Sequence, residues 1–72
     1  MEGFKISLAA ARKNAGMTQS EVAKVLNKNV ATIINWETGK TKDIPATCMV
    51  ELCHLYKIPQ EYILLPNSSS LT

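Results

Sequence analysis

Long apolar runs, cysteine clusters and a strong charge of either sign are all missing from this sequence, and each absence removes a class of function. No stretch approaches the ~18 consecutive apolar residues of a membrane-spanning helix. Met1-Glu2-Gly3-Phe4-Lys5 lacks the positive start and clean apolar run of a secretory signal, and Arg12 and Lys13 close off any such run. The expected location is therefore the cytoplasm, with no membrane partner. Cysteine is restricted to Cys48 and Cys53, five residues apart in a segment of helical pattern. That spacing puts them on separated faces of one helix and disfavours a disulfide. A zinc site would need Cys48, Cys53 and His54 plus a fourth ligand, and the chain has no second Cys/His cluster. Buried, reduced thiols are expected, with no metal and no other cofactor. His54 is the one histidine and has no paired nucleophile or acid, so the chain does not read as an enzyme.

What remains is a short chain rich in helix formers. Its 72 residues make one domain, and a domain of this size buries only ~60% of its unfolded surface. With 46% apolar residues, well-packed helices are the available route to stability. The net charge of +2 says little until its placement is read. Between Lys5 and Lys42 seven basic residues face only Glu21 and Glu37, a local +5, whereas the rest of the chain is net acidic. The basic half is where a polyanion would sit.

That half contains Met17 to Gly39, which reads as two short helices joined by a tight turn. Thr18-Gln19-Ser20-Glu21 has capping-box spacing and predicts a helix start at about Thr18. Asn27-Lys28-Asn29 interrupts with residues that favour turns and tolerate left-handed backbone. Asn29 is suited to cap a second helix over Val30 to Thr38, and Gly39 to end it. Upstream, Phe4, Leu8, Ala11 and Ala15 have helical spacing and Gly16 is a stop, predicting a first helix over residues 4–15. Downstream, Pro45 sits where a helix can begin, and Met49, Leu52, Cys53 and Tyr56 form one stripe ending at about Tyr56. Ile58 reads as a core plug, and Pro59 opens a last short helix that Pro66 ends. The serine-rich residues 67–72 lack a core face and are expected to be disordered. The result is an all-α, compact five-helix bundle over residues 1–66, with no strand signal.

Met17-Thr18-Gln19, Glu21-Val22-Ala23, Leu26, Thr32-Ile33, Trp36-Glu37 and Gly39-Lys40 together resemble the helix-turn-helix of the Xre/Cro/CI family of phage repressors and bacterial regulators. The resemblance extends more loosely through Leu52-Cys53, Ile58 and Ile63-Leu64. It implies a lambda-repressor-like DNA-binding domain whose third helix reads the major groove of double-stranded DNA. By position, Gln19 would contact phosphate at the positive end of helix two. Asn29, Val30, Ala31 and Thr32 would face base edges, with Ile34 and Asn35 next and Asn35 able to pair with adenine. Lys40 and Lys42 would flank the backbone and add salt-dependent affinity. Arg12 and Glu37 match an internal ion pair between the first helix and the end of the third, a structural role. Ile33 and Trp36 belong to the core by spacing.

Two departures from the family pattern matter. Asn27 and Lys28 replace a glycine and an aliphatic residue in the turn; asparagine accepts the left-handed geometry, and Lys28 loses a core contact but can reach toward phosphate. In the recognition helix only Thr32 and Asn35 offer hydrogen bonds, so Val30, Ala31 and Ile34 should be partly exposed. Apolar side chains can read thymine methyls, and an exposed apolar strip also suits a protein. The alternative is therefore a modulator or antirepressor of the same fold. It would bind a phage repressor through Lys28, Val30, Ala31, Ile34 and Asn35 and block that repressor's DNA binding. A DNA reader of this size is expected to work as a homodimer, with Tyr62, Ile63 and Leu65 of the last helix as the expected contact.

Overall fold

Thr18 and Glu21 tie the first turn of the central helix together from both sides. The Glu21 N–H donates to Thr18 Oγ1 at 3.1 Å, and the Thr18 N–H donates to Glu21 Oε1 at 2.8 Å. The helix they start, α2 (Gln19–Leu26), ends at Asn27 with φ 58 and ψ 46. This left-handed residue lets the Lys28 N–H close onto the Ala23 carbonyl at 2.8 Å, satisfying a carbonyl the helix would otherwise leave open. Two residues later α3 (Val30–Thr38) begins, and Gly39 ends it at φ 84. The computed structural model describes residues 5–41 and 43–66, so Phe4, Lys42 and the 67–72 tail lie outside the described residues.

Around this pair stand α1 (Leu8–Asn14) and α4 (Ala46–Tyr56). The described residues thus hold four α-helices, not five. The first starts later than its apolar spacing predicts, because Ser7 Oγ accepts the Ala10 N–H at 3.1 Å and caps the helix there. Pro45 occupies the cap position of α4, one residue before its first turn. The expected fifth helix is a single 3-10 turn, Gln60–Tyr62, followed by extended backbone. Between Pro59 and Pro66 there is too little chain for a stable α-helix, and the residue before a proline is driven away from helical backbone.

That extended backbone is a strand the sequence did not announce. β1 (Ile6–Ser7) and β2 (Ile63–Leu64) pair in parallel, Ile6 opposite Ile63 and Ser7 opposite Leu64. Lys5 Nζ adds a 2.7 Å bond to the Glu61 carbonyl. Ile63 is buried in the core, which removes it from the expected dimer contact; Tyr62 and Leu65 are half-buried.

Val22, Ile33 and Leu52 are the largest fully buried side chains, joined by Leu8, Trp36, Met49 and Tyr56. Ile6, Met17, Ile44 and Ile58 pack against them from the rim. The α4 stripe of Met49, Leu52, Cys53 and Tyr56 is buried as its spacing predicts. Cys48 and Cys53 are free and buried, and burial pushes the Cys53 thiol pKa up. The Cα radius of gyration is 11.6 Å, as expected for a packed domain of this length. Among the described residues no helix is long and apolar enough to cross a membrane, and no three His, Cys, Asp or Glu gather to hold a metal.

Candidate nucleic-acid interface

α3 shows two sides of different character. Ile33 and Trp36 point into the core at 1% and 4% exposure, while Val30 and Ile34 are 40% and 38% exposed. Ala31 is also exposed, and Thr32 and Asn35 are half-buried at the edges. The helix therefore lies on the surface of the bundle with one side bare. Asn29 holds the cap position, but its side chain makes no capping bond, contrary to the expected cap. Its exposed amide stands at the positive end of the α3 dipole.

Lysines stand at both ends. Lys28 is exposed immediately before the cap, its backbone fixed by the bond to Ala23. At the far end the Asn35 carbonyl accepts from the Gly39 N–H at 3.0 Å and the Thr41 N–H at 3.3 Å. These bonds fold the segment back over the helix end and leave Lys40 exposed beside it. Lys42 lies outside the described residues.

Beneath this surface an ionic cluster connects three elements. Arg12 Nε donates to Glu37 Oε2 at 2.7 Å and Nη2 to Oε1 at 3.3 Å, a two-pronged pair. Arg12 Nη1 also donates to the Met17 carbonyl at 3.0 Å. The pair joins α1 to the end of α3, with side chains only 10% and 6% exposed. Its bond to Glu37 raises the Arg12 pKa, outweighing the opposing effect of burial. The Tyr56 phenol is pushed up to about 12, first by burial and then by the Glu37 charge, with Arg12 opposing. Among the described residues no buried side-chain nitrogen or oxygen lacks a hydrogen-bond partner.

Gln19 is the position that spacing alone could not place. It is half-buried, and its Nε2 donates to Glu37 Oε1 at 2.9 Å. This bond uses one of the two amide hydrogens. It attaches the first residue of α2 to the same carboxylate that anchors α3. No signal in the sequence distinguishes it from a glutamine turned to solvent, because it depends on how α2 and α3 cross. His54 is exposed on α4, away from these residues in the chain.

Comparison with known proteins is decisive at the level of family. A family model described as helix-turn-helix matches residues 8–62, most of the chain and all four helices. No curated protein and no solved structure matches the chain. The capped α2, the left-handed turn at Asn27, the bare α3 and that match agree, and the chain belongs to the Xre/Cro/CI-type helix-turn-helix family of DNA-binding transcription regulators.

Proposed function

We propose that the protein is a sequence-specific regulator of Cro/CI type that places α3 in the major groove of double-stranded DNA. The observation that carries this reading is the solvent-exposed outer side of α3, bracketed by exposed Lys28 and Lys40. In this reading Asn29, Val30, Ala31, Thr32, Ile34 and Asn35 face the base edges. Lys28, Lys40 and Lys42 approach phosphates on either side. Gln19 offers its second amide hydrogen to a further phosphate, steadied by Glu37. Binding as a homodimer on a two-fold site supplies the contacts that one small domain lacks.

Titration of labelled DNA from the protein's own control region at low and moderate salt tests the proposal. Three lysines from each of two protomers would engage about six phosphates, so log affinity against log salt should fall with a slope near −5. A flat salt response, or equal affinity for unrelated duplexes, would defeat it.

One observation favours a second reading. Val30 and Ile34 together expose more apolar surface than a purely polar readout needs, and such a strip also fits a partner repressor. A modulator of that kind would bind no DNA and would form a stable complex with the neighbouring repressor. The complex should be lost on Val30→Ser and Ile34→Ser substitution, and its survival would rule this surface out.

A further inference from the structure

The outward side of α3 divides by chemistry along its length. Residues three and four apart on a helix are surface neighbours, so Val30, Ala31 and Ile34 form one continuous patch. Val30 is 40% and Ile34 38% exposed, Ala31 is exposed, and none of the three can donate or accept a hydrogen bond through its side chain. Polar groups border this patch without breaking it: Asn29 is exposed beside Val30, and Asn35 lies one turn beyond Ala31. Thr32 and Asn35 are half-buried, and the Thr38 hydroxyl is turned onto the Asn35 carbonyl at 3.5 Å. Lys28 and Lys40 stand exposed beyond the two ends of the helix.

The major groove of a duplex offers one match to an apolar patch between two cations. Phosphates along its walls meet the lysines, and on its floor the C5-methyl of thymine is the apolar group among the base edges. Resting on the reading of α3 as the DNA-facing helix, the geometry points to thymine methyl groups as what its N-terminal half recognises. Val30, Ala31 and Ile34 are then the specificity-determining residues. Sequence choice arises from closing water out between methyls and aliphatic side chains, and from penalising the wrong base. A cytosine N4 amino group or a guanine O6 pressed on the same patch would lose its water and gain no partner. The preferred half-site therefore carries adjacent thymines where the first turn of α3 lies.

The test begins by letting the full chain choose its own site from a pool of random-sequence duplexes. The enriched sequence is then remade with deoxyuridine in place of thymidine. This change removes the methyls and keeps every hydrogen-bonding group. Each methyl removed should lower affinity about four-fold, equivalent to ~0.8 kcal/mol for one buried methyl at ~1.4 kcal/mol per factor of ten. Two in one half-site should lower it about fifteen-fold. Ile34→Ser, at an exposed position, should weaken the thymine site and narrow the difference between the two forms. A selected site that the unaltered protein binds equally with thymine and uracil overturns the methyl assignment while leaving DNA reading intact. Failure to enrich any sequence overturns both, whether the protein then binds duplexes by charge alone or forms a complex with a repressor protein instead.

Discussion

Replacing Arg12 by alanine is the sharpest test of what holds α3 to the rest of the protein. The substitution deletes two hydrogen bonds to Glu37 and one to the Met17 carbonyl. It leaves a carboxylate that is 6% exposed with Gln19 as its remaining side-chain donor. Breaking a buried pair from one side costs about 3–5 kcal/mol, because the surviving charge is stranded away from water. A domain of 72 residues has a total stability of roughly 4–11 kcal/mol at ~0.05–0.15 kcal/mol per residue. Arg12→Ala should therefore remove a large fraction of it, and a cost of about 5 kcal/mol exceeds the whole where the stability lies near the low end of that range. The double variant Arg12→Met/Glu37→Leu removes both charges and keeps the volume, so it should lie within about 1–2 kcal/mol of the original. Urea titration followed by the fluorescence of Trp36, buried at 4% exposure, reads both. With a slope of ~1 kcal/mol per molar urea, the single variant's midpoint should fall by about 3 M or more. The deficit should persist in high salt, which screens buried pairs weakly. A loss below ~1 kcal/mol, or a double variant no more stable than the single, would refute the stranded-charge argument.

Three further outcomes follow from the same structure. The Tyr56 pKa is raised from its usual 10 to about 12 in the folded state, so the unfolded chain releases that proton first. Its contribution is whole below pH 10 and is lost as pH rises through 10 to 12, a fall of order 2 kcal/mol that Tyr56→Phe should abolish in alkaline urea titrations. Lys57 sits at φ 57, a left-handed position that disfavours side chains. Lys57→Gly should stabilise by ~0.5–1 kcal/mol and raise the thermal midpoint by a few degrees in calorimetry, and a drop would mean that the lysine makes a compensating contact. Thr18→Ala removes the acceptor for the Glu21 N–H and should cost about 1 kcal/mol, measurable by the same urea titration.

The local features of the fold were legible because their causes are local. The capping box at Thr18 and Glu21, the left-handed Asn27 and Gly39, and the α4 stripe each depend on residues a few positions apart, and each appears as spacing implies. The misreadings occur where distant segments meet. Ile6 and Ile63 are 57 positions apart, and their pairing accounts for extended backbone at one end of the expected first helix and in the last two residues of the expected fifth, whose first three form a 3-10 turn. Gln19 is similar: its sequence position marks it as the first residue of α2, but its bond to Glu37 exists only because α3 crosses beneath it. The exposure of Val30, Ala31 and Ile34 was legible for a simpler reason. One buried side of a helix has room for Ile33 and Trp36, and the remaining apolar residues must face outward.

α3 is a poor helix in isolation, and this ties the interface to the stability of the whole domain. Val30, Thr32, Ile33, Ile34 and Thr38 are β-branched, which lowers helix propensity. Asn29 supplies no side-chain cap, and nine residues are too few to be helical alone in water. What makes the segment a helix is tertiary: Ile33 and Trp36 in the core, and the Glu37 carboxylate held by Arg12 of α1 and Gln19 of α2. The exposed side of α3 therefore does not exist apart from the packed bundle. A change at Arg12, which the interface never exposes, should weaken binding through the folded fraction while leaving the salt slope of the remaining folded protein unchanged. A change at Ile34 should do the reverse, altering which sequence is bound at nearly constant stability. The two kinds of residue share one nine-residue helix because its buried side determines that the helix forms, and its bare side determines what it meets.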